Sequence, residues 1–381
     1  MLLGMAKREE NPLFPLCAEP EANCTQVAHL RKLGPAGFAA APLPFCCGRG
    51  TLVHVIKQVA AGKRSTTIRA FALGGGGARG ALQVGALRAL LEAGVRPDML
   101  VGTSIGAINA AYLAMHGFSN EALTGLEAAW QDAAHAGLLP DNYVRIAFRA
   151  LMNRSRGETV QRTREFCVRH GLGPELRFRD LQGPRLFVVS ADLKGGGIVL
   201  YGANPAESVL EGVLASAAIP PWILPQPNGD RLLIDGGLLS NVPIEPAIGR
   251  GATEVVALDL DEPRPVGPAH GVGPFVSQMM HTIHEHQVHL EKQLAAARGV
   301  LVHHVQLTGD APVALWEFDR APALVEVGYR CMRRYLAEHP ELSAPEPVPP
   351  WWRRLVRRPS AGAAVPARGR ATHPGLEELG R

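Results

Sequence analysis

Apolar positions follow two rhythms between Ile68 and Leu336, and the rhythms alternate. Short apolar runs at Ile68–Leu73, Met99–Val101, Arg185–Ala191, Gly197–Tyr201, Arg231–Ile234, Glu254–Leu260 and Val300–Leu307 read as strands, most of them buried on both faces. Helical spacing fills the intervals. Leu82, Val84, Leu87, Leu90 and Leu91 mark one helix that Gly94 closes, and Ile105–His116 is a helix of small residues suited to close packing on a sheet. Residues 119–172 read as mainly helical, with arginines from Arg145 to Arg169, and as a cap or insertion over a site. Ala206–Ala217 is a helix stopped by Pro220-Pro221, Phe275–Arg298 a long helix, and Asp319–Glu338 the last, with Asp319 as its cap. Lys194-Gly195-Gly196 connects two of the strands as a hairpin. Strands alternating with helices predict an α/β fold with a mostly parallel sheet covered on both faces.

The two ends lack this order. Residues 1–64 are proline-rich and aperiodic, apart from one short helix predicted over Thr51–Ala61, and read as a poorly ordered extension. Residues 65–340 form the folded domain, and 341–381 are a basic, proline-rich tail read as disordered. Within that tail, Trp351-Trp352-Arg353-Arg354-Leu355-Val356-Arg357-Arg358 has two readings, a solvated basic segment or an interfacial anchor for anionic lipid. A net charge of +4 is mild, and no nucleic-acid-binding module accompanies it, so nucleic acid is not an expected partner. Six cysteines at spacings that fit neither zinc nor a disulfide framework suit a reducing, cytoplasmic compartment. The start lacks the apolar run of a signal peptide, and the longest uncharged stretch is short and interrupted, so any membrane contact is expected to be peripheral.

Two strand-to-helix turns carry the chemistry. The second strand delivers Gly102-Thr103-Ser104-Ile105-Gly106, the G-x-S-x-G form of a nucleophile elbow, in which glycines relieve crowding around a strained serine. The first strand delivers Gly74-Gly75-Gly76-Gly77-Ala78-Arg79-Gly80, which also satisfies the dinucleotide fingerprint through Gly75, Gly77 and Gly80. A dinucleotide site needs an acidic residue at the end of the second strand, whereas Asp98 stands at its start. That weighs against a nucleotide cofactor and for an oxyanion hole, with backbone N–H groups aimed at developing negative charge. Arg79 either steers anionic head groups or sits on the helix surface. A third turn, Asp235-Gly236-Gly237, ends an apolar strand; it is either the partly buried base for Ser104 or a type I′ hairpin turn.

Gly75-Gly76-Gly77-Ala78-Arg79-Gly80, Gly102-Thr103-Ser104-Ile105-Gly106 and Asp235-Gly236-Gly237 resemble, in order, the three motif blocks of patatin-like phospholipases. Ala215-Ser216-Ala217-Ala218-Ile219-Pro220-Pro221 and Asn241-Val242-Pro243 resemble further stretches of that family, and the resemblance runs from Ile68 to Leu260. It departs at Gly237, where the family often has alanine. The resemblance implies a three-layer α/β/α fold and a Ser–Asp dyad without histidine, metal or other cofactor. Ser104 is then the nucleophile, Asp235 the base, Gly75, Gly76 and Gly77 the oxyanion hole, and Arg79, Gly80, Gly102, Gly106, Gly236 and Gly237 the supporting motif. It implies hydrolysis of acyl esters of phospholipids or other lipids, with a lipid as substrate partner. Two alternatives stand beside it: a catalytically silent lipid-binding member of the fold, and a nucleotide-binding protein using the glycine loop.

One further cluster stands out. His281, His284, Glu285 and His289 fall on one face of the long helix at 100° per residue, and read either as metal ligands or as a solvated face.

Overall fold

The computed structural model describes residues 67–139, 158–220, 223–260 and 272–343. The short helix predicted over Thr51–Ala61, much of the arginine-rich stretch from Arg145 and the basic tail lie outside these residues.

Eight strands form one sheet: β1 (Arg69–Leu73), β2 (Met99–Thr103), β3 (Arg185–Asp192), β4 (Gly197–Tyr201), β5 (Gln226–Asn228), β6 (Arg231–Asp235), β7 (Glu254–Asp259) and β8 (Leu301–Gln306). Their order is β5-β6-β3-β2-β1-β7-β8, with β4 pairing β3. The central pairs β1–β2, β1–β7, β2–β3 and β7–β8 are parallel, while β3–β4, β3–β6 and β5–β6 are antiparallel. Helices α1 (Ala81–Glu92), α2 (Ile105–His116), α3 (Asn120–Ala136), α4 (Glu158–Arg169), α5 (Val209–Ser216), α6 (Ile244–Gly249), α7 (Val272–Ala297) and α8 (Ala321–Glu338) cover it.

Strand alternation explains the layers. Along β1, Phe71 and Leu73 enter one core with α1, α2, α3, α5 and α8, while Ala70 and Ala72 enter a second core with α6 and α7. The mostly parallel sheet is therefore the middle layer of three. Two glycines draw the helices of the first layer together: a Cβ at Gly85 would strike Val325 O, and one at Gly328 would strike Leu82 O. That leaves α1 and α8 in backbone contact.

The structure corrects the last helix. Asp319 lies inside a 3₁₀ turn, Phe318–Arg320, and α8 starts at Ala321 with no side-chain cap. Pro322 in its first turn needs no N–H partner there, so the start is set by proline rather than by the aspartate. The helix predicted from Ala206 begins at Val209, because the Ser208 side chain accepts the Glu211 N–H as an N-cap.

Candidate active site

Ser104 sits between β2 and α2 at φ 56°, ψ −125°, and among the described residues it is the one non-glycine at positive φ. Such a backbone costs about 1–3 kcal/mol and persists only where its surroundings enforce it. They do so from three directions. The Ser104 N–H donates to Ser216 Oγ (2.9 Å), and Ser216 Oγ in turn donates to Val189 O (2.5 Å). Thr103 Oγ1 donates to Ser240 O (2.9 Å). A Cβ at Gly106 would strike Leu73 O, so glycine there lets α2 start directly against the end of β1. Gly102 lies against Ala107 in the same way.

Asp235 arrives from the opposite direction. β2 pairs with β3 through Val189, opposite Thr103; β6 pairs with β3 from Ser190, opposite Asp235. β4 occupies the other edge of β3 from Val188 to Asp192, so β2 and β6 share one edge. They run toward each other and stop at consecutive residues of β3. Their carboxyl ends, Thr103-Ser104 and Asp235, therefore meet head to head. The register is pinned by Ser190 Oγ donating to Ile234 O (2.7 Å), and by Gly236, where a Cβ would strike Val189 O. After Asp235 the chain enters a 3₁₀ turn, Gly236–Leu238, and then α6, which removes the hairpin reading of Asp235-Gly236-Gly237.

The carboxyl group of Asp235 is 6% exposed. Oδ1 accepts the Gly237 N–H (2.8 Å), while Oδ2 is buried with no hydrogen-bond partner. Burial pushes its pKa up to about 6, against the opposing pull of the Ser104 hydroxyl and the Gly237 N–H. A carboxyl group so placed holds a proton far more readily than a solvated one.

The glycine loop closes over this pair. A Cβ at Gly75 would lie 3.0 Å from Ser104 Cβ and 2.7 Å from Asn241 Oδ1. Gly75 lines the site by having no side chain; its own N–H donates to Asn241 O (3.2 Å). Among the described residues nothing accepts from the N–H groups of Gly76 or Gly77. Gly77 has φ +57° and presses on Leu315, where no Cβ fits. Arg79 Nε donates to Gly76 O (3.2 Å), so this side chain fastens the loop on which it stands. Gly80 packs on Ile105 and Trp130, and Gly237 on Asn241 Oδ1 (2.7 Å).

Two anchors of the loop went unmarked in the sequence. Gln83 Nε2 donates to Gly74 O (2.9 Å), Asn109 Nδ2 to Gly80 O (3.1 Å) and to Gln83 Oε1 (2.9 Å), and Trp130 Nε1 to Asn109 Oδ1 (3.0 Å). Gln83 and Asn109 are fully buried. Their signal was a lone amide within an apolar helical run, as in Leu82-Gln83-Val84 and Ile108-Asn109-Ala110. A buried amide is tolerated only when satisfied, so such a residue marks a fixed backbone contact.

The rival readings find their residues elsewhere. Asp98 Oδ2 accepts the Arg69 N–H (2.7 Å) at the amino end of the sheet, away from the glycine loop. On α7, the four residues of the predicted metal face do not converge. His281 pairs with Glu285 (3.6 Å), His284 with Asp259 (2.9 Å) and His289 with Gln293 (3.0 Å). Among the described residues no group of three or more His, Cys, Asp or Glu side chains is placed to hold a metal ion.

A strained serine, a buried carboxylate and a glycine loop thus meet at one end of the sheet. The family model described as patatin-like phospholipase matches residues 71–248. Within those residues the chain carries a patatin-like phospholipase domain. An uncharacterized NTE family protein of Mycobacterium tuberculosis is 36% identical over 202 residues, covering 53% of this chain and 31% of that protein. Patatin-like phospholipase domain-containing protein 6 of Mus musculus is 31% identical over 194 residues, covering 50% of this chain and 13% of that protein. The chain thus spans less than a third of the length of either relative. Among solved structures, VipD from Legionella pneumophila aligns at a TM-score of 0.38 and 16% identity, covering 71% of this chain and 67% of that one. ExoU from Pseudomonas aeruginosa aligns at 0.37 and 18%, covering 72% and 53%. Among the described residues no helix is long and apolar enough to cross a membrane.

Proposed function

We propose that this chain is a serine acyl hydrolase that cleaves fatty-acyl esters of phospholipids or related lipids through a Ser104–Asp235 dyad. The observation that carries this is the head-to-head meeting of β2 and β6 on β3, which brings a strained serine to a carboxylate already buried and short of one partner. Asp235 takes the Ser104 hydroxyl proton as Oγ attacks the ester carbonyl, and returns it to the leaving alcohol. Water then repeats the cycle on the acyl-enzyme. The unpartnered N–H groups of Gly76 and Gly77 receive the oxyanion, and Gly75 makes room for it. No step needs a cofactor. Residues 65–340 carry the activity; 1–64 and 341–381 lie outside it.

An apolar pocket with a free volume of about 30 Å³ lies next to Ser104. It is lined by Ile105, which follows Ser104, and by Ile108, Leu126, Trp130, Phe166 and Phe318.

Labelling with a fluorophosphonate probe, wild type against Ser104→Ala, tests the reading. Wild type labels and hydrolyses acyl esters, whereas the variant does neither, losing at least about 10³-fold in kcat/KM while keeping its thermal midpoint. Full hydrolysis by Ser104→Ala sinks the proposal, and labelling without hydrolysis of any lipid ester leaves a lipid-binding member of the fold.

A further inference from the structure

Asn241 lies between the glycine loop and the base turn and touches both. Its O accepts the Gly75 N–H (3.2 Å) and its Nδ2 donates to Gly75 O (3.3 Å), a two-bond clamp on that peptide. Its Oδ1 fills the space that a Cβ would need at Gly75 and at Gly237, 2.7 Å from each. An amide in this position can turn about its own bond, so something must orient it. Nδ2 also lies 3.2 Å from His284 Nδ1. An amide nitrogen only donates, so Nδ1 is the acceptor and the ring proton sits on Nε2, which donates to Asp259 Oδ1 (2.9 Å). His304 Nε2 donates to the other oxygen, Oδ2 (2.9 Å). Asp259 ends β7, whose neighbour β1 leads into the glycine loop, so the chain of bonds returns to the sheet that bears the site. Burial pushes the Asp259 carboxyl up, but the hydrogen bonds from His284 and His304 outweigh it and hold the group well below its ordinary range.

We propose that His284 and Asp259 are positioning residues of the hydrolase: through Asn241 they hold Gly75 against Ser104, and a proton on His284 Nδ1 releases that hold. The inference rests on the dyad reading above. Protonation turns Nδ1 from acceptor to donor, opposing the Asn241 N–H; the amide must turn, and its donor leaves Gly75 O. Among the described residues, the titratable and charged groups around His284 include Asp259 and His304 from the sheet, His281 and Glu285 on its own helix, themselves paired, and His289 and Lys292 at the pocket rim. The ring is 15% exposed at that pocket, so solvent protons reach it.

The test measures kcat and KM of the full chain on a soluble acyl ester across the acid and neutral range. His284→Ala is expected to lose roughly 10–100-fold in kcat with KM within about 2-fold, the mark of a displaced reacting group. His284→Gln keeps both bonds, accepting from Asn241 and donating to Asp259, without titrating. It is expected to stay within about 3-fold of wild type. The acid limb of wild type then involves two protons, and that of His284→Gln one, which belongs to Asp235. Wild-type kcat in His284→Ala, or an unchanged acid limb in His284→Gln, overturns the inference. If His284→Ala does not fold, Asn241→Asp carries the test: its carboxylate cannot donate to Gly75 O, and undiminished kcat there overturns the inference as well. Hydrolysis surviving in Ser104→Ala strikes the dyad reading instead, so the two failures are distinguishable.

Discussion

The half of the site proposed to supply the nucleophile and the half proposed to supply the base meet at one point of the sheet but are held by different kinds of bond. Ser104 and the glycine loop are fixed by amides, hydroxyls and an indole: Gln83, Asn109, Trp130 and Ser216, all buried. None of these changes charge in the physiological range. Asp235 Oδ1 takes the Gly237 N–H, and the turn that follows is held by ionisable side chains: Glu291, which accepts from Ser240 Oγ (2.7 Å) and the Glu245 N–H (2.7 Å), and, through Asn241, His284 with Asp259. The difference teaches that the Ser104 turn itself is fixed without ionisable groups, whereas the turn after Asp235 and, through Asn241, the Gly75 peptide rest on them.

Breaking the base half has the largest effect. Asp235→Asn is expected to lower kcat/KM by at least about 10³-fold, because no group remains to take the serine proton. Its stability should move the other way. The folded pKa of Asp235 is raised from 3.8 to about 6, so the stability gained from its protonated form is present below the ordinary carboxylate range and is lost as pH rises through about 6. Above that pH the variant is expected to be the more stable by up to about 3 kcal/mol, read as a thermal midpoint that no longer falls across the interval. In wild type, activity rises over the same interval, since only the ionised carboxylate accepts a proton. Activity flat through that range would remove Asp235 as the base.

The nucleophile half is tested by Asn109→Ala. Trp130 Nε1, Gly80 O and Gln83 Oε1 lose their partner in a dry interior, a cost of about 3 kcal/mol. Loss of stability and of kcat at every pH, with the acid limb unmoved, sharpens the contrast with His284; a shifted acid limb would erase it.

The smallest expected effect on turnover is at Glu291. Burial pushes its pKa up to about 7, over the opposing bonds from Ser240 and the α6 backbone. Protonated, the group adds stability, which is lost as pH rises through about 7. Glu291→Gln should therefore gain up to about 3 kcal/mol over wild type above that pH and nothing in acid, with kcat within about 2-fold. A constant difference in thermal midpoint at all pH would show that Glu291 caps α6 without titrating.

Most elements were legible because their signals are local. The strands announced themselves as apolar runs, and the Ser104 and Asp235 turns by glycines that crowding demands. The start of α8 was misplaced because an aspartate near a helix start resembles a cap whether or not its side chain turns back. The helix-borne histidines were read as one face because a helical wheel shows which residues are neighbours, not which of them meets the sheet. His284 reaches Asp259 at the end of β7, while His289 stays exposed beside Gln293. Gln83 and Asn109 carry little signal because their partners are backbone carbonyls of a loop, and carbonyls leave no mark on sequence.

The sequence by itself determined most of the strands and helices from Ile68 to Leu336, though not β5 or α6, together with the strained turn at Ser104 and the glycine loop before it. Each of these is a demand of a few adjacent residues on their own backbone. Only the tertiary structure decided that β2 and β6 share an edge of β3 and stop at Val189 and Ser190. Register between distant strands is set by which side chains fill the two cores and by Ser190 and Gly236 against the neighbouring backbone, and a one-residue slip would turn Asp235 to the other face. The meeting of serine and carboxylate is a property of that pairing, which no local pattern encodes.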